Sequence, residues 1–150
     1  IDEENYHITL RFIGDIDVPL AEEVAFALEG LQFRPFMLKL KGIDVLGGNK
    51  PHTLCAQIEE SAELRRLQSM QERIMQMLGL PAEQRRFTPH VSLARLKDPD
   101  LGDLQRYLVS HSLYASRPFE VSHFVLFSSR PSRGGGPYAV ENSYAMVAAP

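Results

Sequence analysis

Phe87-Thr88-Pro89-His90-Val91-Ser92-Leu93-Ala94-Arg95 decides how this chain is read, because its centre, H-x-[ST]-L, also stands near the beginning as His7-Ile8-Thr9-Leu10. In each copy a histidine and a hydroxyl residue are two apart, with apolar residues in the alternate places. Period-two alternation predicts strands that carry imidazole and hydroxyl on one face and Ile8 and Leu10, or Val91 and Leu93, on the other. A single match of this kind carries little weight, since a short motif also turns up on a solvated strand face by chance. Two copies about half the chain apart point to an internal duplication, two similar lobes that each present a titratable nitrogen beside a neutral hydroxyl.

Composition sets the frame around these motifs. A chain of 150 residues, 44% of them hydrophobic, suffices for one core, so residues 1–150 read as a single domain. No run approaches the roughly eighteen apolar residues of a membrane span, and Ile1 to Asn5 lack the basic and apolar character of an export signal. Cys55 is the one cysteine. It excludes an internal disulfide and favours a reducing, cytoplasmic setting. The formal charge of −3 argues against a protein that coats long nucleic acid, without excluding a nucleic-acid end as substrate. Twelve of the sixteen cations are arginine, whose planar fork suits phosphate oxygens, although a general preference for arginine gives the same count.

Taken in order, Tyr6 to Ile13 alternates as a strand with Tyr6, Ile8, Leu10 and Phe12 inward and Arg11 on the face of His7, at the sheet edge. Pro19 opens a helix whose apolar stripe is Leu20, Val24, Ala27, Leu28 and Leu31. Phe36 to Leu40 reads as a half-exposed strand running toward the Gly47-Gly48-Asn49 turn, and Thr53 to Ile58 as the next, burying Leu54, Ala56 and Ile58 and leaving Thr53, Cys55 and Gln57 opposite. Ser61 begins the longest helix, with Leu64, Leu67, Met70, Ile74, Met77 and Leu78 as its stripe and Gly79 and Pro81 as its stop. Arg85 and Arg86 precede the second motif, and as strand neighbours only one of them can face a site there. Strict alternation places Arg95 with Val91 and Leu93, away from His90, unless the strand ends or bulges near Ala94. A short helix then carries Leu101, Leu104, Tyr107 and Leu108, with His111 as a favourable charge at its end. Phe119 to Ser128 reads as one long central strand in which His123 is a core histidine. Ser129 to Pro137, with Arg130 and Arg133, reads as a hairpin loop leading to a strand from Tyr138 to Val147.

His7-Ile-Thr-Leu-Arg-Phe-Ile-Gly and Phe87-Thr-Pro-His-Val-Ser-Leu-Ala-Arg resemble the paired signatures of the two-histidine phosphoesterase superfamily, in particular its LigT-like RNA 2',3'-cyclic phosphodiesterase branch. The resemblance covers nearly the whole chain. It implies an α+β class: a bilobal, pseudo-twofold duplicated fold, two antiparallel sheets flanking a cleft, helices outside and one histidine motif from each lobe. It also implies metal-free opening of a 2',3'-cyclic phosphate to a 2'-phosphate, and some relatives join or cleave 2'-5' linkages. Members usually begin with a further strand and helix, so the chain is expected to lack that first part of one lobe. Ser92 stands where threonine is commoner and keeps the hydroxyl.

The residues suit that chemistry on their own account. Opening a cyclic phosphate needs a base for the attacking water and an acid for the departing ribose oxygen, and imidazole serves as either near neutrality. His90 is expected as base and His7 as acid, the sequence leaving the reverse open. Thr9 and Ser92 are expected to bind the non-bridging phosphate oxygens, with Arg95 as a further substrate contact. No cofactor and no metal are expected, there being no His-x-x-x-His, paired cysteines or carboxylates at ligand spacing. The expected partners are RNA ends or nucleotides carrying a cyclic phosphate, with no membrane, and the chain is expected to be a monomer. Two alternatives stand beside this: a nucleotide-binding module of the same fold without turnover, and a hydrolase or ligase of 2'-5' linked oligonucleotides.

Overall fold

The computed structural model describes residues 1–129 and 138–147, and the expected hairpin loop with Arg130 and Arg133 lies outside the described residues. In chain order the elements are α1 (Val18–Glu29), β1 (Phe36–Leu38), β2 (Leu40–Leu46), β3 (Thr53–Ile58), α2 (Ala62–Met77), β4 (His90–Arg95), α3 (Leu101–Ser110), β5 (Phe119–Val121), β6 (His123–Ser129) and β7 (Tyr138–Ala145). The class is α+β with antiparallel sheets. By contact the chain divides into two units, the first built from Ile1–Thr9, Leu38–Glu60 and Thr88–Phe119, the second from Leu10–Met37, Ser61–Phe87 and Glu120–Pro150.

The first unit is organised on the antiparallel sheet β2-β3-β4. Both of its edges are occupied, which removes the hazard of unpaired edge groups. Beside β2, Lys41 bridges Ala115, the Gly42 amide donates to the Tyr114 carbonyl, and the Ser116 hydroxyl accepts from the Leu40 amide. Beside β4, Ile8 forms an antiparallel bridge with Val91. Ala56 and Val91 are buried and face each other across β3 and β4. The β2–β3 turn is closed by the Lys50 amide on the Gly47 carbonyl and the His52 amide on the Leu46 carbonyl. Gly47 has φ +112°, and a Cβ there would stand 2.4 Å from the Lys50 carbonyl oxygen and 2.6 Å from the His52 ring. Only glycine fits that approach.

In the second unit α1 packs on α2 and on β7. Asp17 caps α1 by accepting from the Leu20 amide, two residues ahead of the expected opening at Pro19, and Ser61 caps α2 by accepting from the Leu64 amide, the start read from the sequence. Val24 and Leu28 are the buried residues of α1, while α2 buries Leu64, Leu67, Gln71 and Met75. Met77, expected inside, is 79% exposed. At 100° per residue it lies about 140° around the helix from Leu64, whereas Met75 returns to within about 20° of it. β6 and β7 pair antiparallel, Phe124 stacks on Tyr144 at 4.9 Å between ring centres, and the Tyr144 hydroxyl donates to the Ala25 carbonyl of α1 at 2.8 Å. That bond lets a tyrosine be buried without stranding its polar end.

Several strands differ from expectation. Tyr6 to Ile13 is extended chain with one bridge rather than a strand, and Phe12 is 64% exposed and Tyr6 42%. The expected strand at Phe36 to Leu40 divides at Lys39, and the one from Phe119 to Ser128 divides at Ser122. In both places the backbone carbonyl turns to another partner, Lys39 accepting from the Glu59 amide and Ser122 from the Met146 amide. The described strands accordingly form three sheets, β1-β5, β2-β3-β4 and β6-β7, where two were expected.

Gly47→Ala is expected to lower stability by about 2 kcal/mol through the disfavoured φ and the contact with Lys50. A urea midpoint equal to that of the wild type would show that the turn accommodates a side chain.

Candidate functional site

The Ile8–Val91 bridge brings the two histidine motifs together inside the first unit. The expectation of one motif from each lobe is thereby corrected: by contact both belong to one unit, because His7-Ile8-Thr9 runs along the edge of β4 opposite β3. Antiparallel pairing about that bridge sets His7 across from Ser92 and Thr9 across from His90. All four lie on the face opposite Ile8 and Val91. Directly opposed Cβ atoms in such a pair are about 4.5–5.5 Å apart and the diagonal His7–His90 pair about 7–8 Å, a span that a phosphate group fills between two imidazoles.

The two rings are held alike. His7 Nδ1 donates to the Asn5 carbonyl at 2.8 Å and His90 Nδ1 donates to the Thr88 carbonyl at 2.8 Å, in each case two residues back along the chain. A carbonyl oxygen only accepts, so Nδ1 carries a proton in both rings and Nε2 is the other ring nitrogen. At the first motif that carbonyl belongs to the last residue of a short 3-10 helix, Glu3–Asn5, followed by the extended Tyr6, and at the second Pro89 keeps Thr88 out of the helical region. His7, His90 and Ser92 are half-buried and Thr9 is exposed.

Arg95 joins this face by way of an irregularity. In the β3–β4 register Gln57 pairs with His90, Ala56 with Val91 and Cys55 with Ser92, but Leu54 then pairs with Ala94 and Thr53 with Arg95. Leu93 is the extra residue of a bulge. Thr53 and Cys55 share a face, so Arg95 stands on the face of Ser92 and His90, as the bulged alternative required. Cys55, expected on an open face, is 1% exposed. Burial first, and the charge of Asp44 next, push its thiol above the ordinary value, which keeps it a neutral group rather than a nucleophile.

A family model described as the 2'-5' RNA ligase superfamily matches residues 3–133, a span that takes in both histidine motifs. The chain belongs to that superfamily. Its relatives include the RNA 2',3'-cyclic phosphodiesterase of Aeropyrum pernix, 37% identical over 99 residues that make up 65% of this chain and 56% of the relative. The chain thus spans little more than half the length of that protein. The RNA 2',3'-cyclic phosphodiesterase of Aquifex aeolicus is 30% identical over 149 residues, 96% of this chain and 79% of the relative. Among solved structures, E. coli LigT complexed with 3'-AMP shares the fold with a TM-score of 0.75 at 18% identity, over 99% of this chain and 80% of LigT.

Other polar residues of this superfamily member have structural partners. Arg11, expected at a sheet edge, is half-buried in the second unit, where it pairs with Glu72 of α2 at 2.5 Å and donates to the Phe12 and Pro81 carbonyls. Arg85 pairs with Glu83. His111 closes α3 as expected, Nδ1 donating to the Tyr107 carbonyl at 2.9 Å. His123 is exposed beside Ser122 and is not the core histidine the apolar run suggested, because the break at Ser122 turns that end of β6 outward. Among the described residues no group of three or more His, Cys, Asp or Glu side chains gathers as a metal site. Sequence reasoning placed Gln57 on the right face of β3 but gave no sign that it stands beside His90.

Burial would raise the Glu72 carboxyl, but hydrogen bonds from Arg11, Gln76 and the Glu83 amide, with the Arg11 charge, hold it down from 4.5 to about 2. A depressed folded-state value means that the pair contributes its full stability above the unfolded value and loses it as pH falls from about 4.5 toward about 2. Wild-type protein is therefore expected to lose more stability between pH 7 and pH 3 than Glu72→Gln, as read by urea midpoints at the two pH values. Equal losses would place the acid sensitivity elsewhere.

Proposed function

We propose that this chain is a metal-independent phosphodiesterase that opens 2',3'-cyclic phosphates, on RNA ends or nucleotides, to 2'-phosphates. The observation that carries the proposal is the matched pair of Nδ1-to-carbonyl hydrogen bonds, which orients two imidazoles alike on one face. A water oxygen bonds to phosphorus in line as the bond to the ribose 3' oxygen breaks. His90 Nε2 takes the water proton and His7 Nε2–H gives one to the departing oxygen, so that the two rings exchange protonation states over a turnover. Thr9 and Ser92 donate to the non-bridging oxygens, where charge gathers, and Arg95 adds a cation on the same face. The names of the Aeropyrum and Aquifex relatives support this reaction class.

A second reading is favoured by the family description: the same four residues acting on 2'-5' linked oligonucleotides. Rates on a cyclic mononucleotide and on a 2'-5' dinucleotide separate the two. No helix among the described residues is long and apolar enough to cross a membrane, and the lone cysteine suits a reducing cytoplasm.

Incubated with a nucleoside 2',3'-cyclic phosphate in EDTA, the chain is expected to release the 2'-phosphate with a bell-shaped dependence on pH, as one neutral and one protonated imidazole require. His7→Ala and His90→Ala are each expected to lower kcat by about 10²–10⁴-fold. Near-normal turnover in either variant sinks the two-histidine mechanism, and nucleotide binding without turnover by the folded wild type points to a binding module.

A further inference from the structure

We propose that Gln57 is a specificity-determining residue of this site, one that contacts the nucleoside part of the substrate while the phosphate lies between the histidines. The inference rests on the phosphodiesterase reading above. Gln57 pairs directly with His90 across β3 and β4, on the side of β4 away from Thr9, and its side chain is exposed on the face of the four motif residues. One strand spacing, about 4.8 Å, separates it from the histidine strand.

The amide is held in place. Its Nε2 donates to Asp44 Oδ2 at 3.2 Å, and Asp44 is itself fixed by the Val45 amide donating to Oδ1 at 2.8 Å. On the other side the backbone makes room for it: Gly42 has φ +96°, and a Cβ there would come 3.0 Å from Gln57 Oε1. An exposed glutamine is ordinarily a mobile side chain whose ordering costs rotamer entropy. Here the bond to Asp44 already restrains it, and the amide keeps an acceptor and a second N–H for a ligand.

Charge decides which part of the ligand comes here. The Asp44 carboxylate beside Gln57 repels a further phosphate, whereas Arg95, with its partner Thr53 and the neighbouring His52, occupies the opposite end of the same face. A neutral, hydrogen-bonding sugar or base edge is the group that suits the Asp44–Gln57 end. A nucleotide whose phosphate sits between His7 and His90, and whose nucleoside crosses β3, meets Gln57 first.

The test compares wild type, Gln57→Ala and Gln57→Glu for kcat and KM on a nucleoside 2',3'-cyclic phosphate, and for inhibition by inorganic phosphate and by a nucleoside 2'-phosphate. Gln57→Ala is expected to raise KM and weaken the nucleoside 2'-phosphate about 3–10-fold, the loss of one or two hydrogen bonds, while kcat stays within about twofold and inhibition by inorganic phosphate is unchanged. Gln57→Glu, which sets a second carboxylate beside Asp44, is expected to weaken the nucleotide further. A change that strikes inorganic phosphate equally, or no change in either ligand, overturns the proposal. If the wild type binds without turnover, calorimetry with the nucleoside 2'-phosphate and with inorganic phosphate makes the same comparison. In that event the absence of turnover counts against the phosphodiesterase reading and the ligand selectivity alone judges Gln57.

Discussion

Everything at the candidate site depends on the antiparallel pairing of β4, with β3 on one side and with Ile8 on the other. One bridge residue there does the work of a whole strand. Its geometry alone settles that His7 faces Ser92 and that Thr9 faces His90, because any pairing slipped by one residue would turn one motif to the opposite face. Val91, buried at the centre of the three paired segments, supplies the apolar contact that holds the register while its neighbours on either side carry the polar groups.

Much of this was legible in the sequence, and the exceptions have physical causes. The second motif reads as a strand and is one, since Thr53–Ile58 supplies a partner of the same length and alternation. The first motif shows the same alternation but meets only the edge of β4, so the pattern survives at His7, Ile8 and Thr9 and fails at Tyr6 and Phe12, which have no sheet to bury them. Period alone carries no information about how many residues find a neighbour. The first two helices were read at their starts from Pro19 and Ser61, local signals that need no tertiary partner, while the caps Asp17 and Asp100 emerge from the structure.

Arg11 illustrates the opposite case. On the sequence it is one residue beyond the first motif's leucine and shares its apparent face, yet its guanidinium belongs to Glu72, sixty-one positions away, and to two backbone carbonyls. A part-buried ion pair of this kind is decided by distant segments, which local alternation does not register. Gln57 was hidden for the same reason. Its neighbour His90 is thirty-three positions on, and the value of the contact arises only from the pairing of β3 with β4.

The bulge at Leu93 gives the arginine on this face an unusual kind of dependence. Whether Arg95 looks toward the histidines or away from them is a matter of parity, fixed by one additional residue in the backbone and not by the chemistry of any side chain nearby. Deleting Leu93 would leave Ala94 on Leu54 and Arg95 on Thr53, so the cation would stay on the face of the imidazoles; pairing Leu93 regularly while keeping it is what would turn the cation to the far side of the sheet. Among descendants of this sequence, therefore, a single-codon deletion between Ser92 and Ala94 would keep the cation with the imidazoles, whereas an insertion there would divide them.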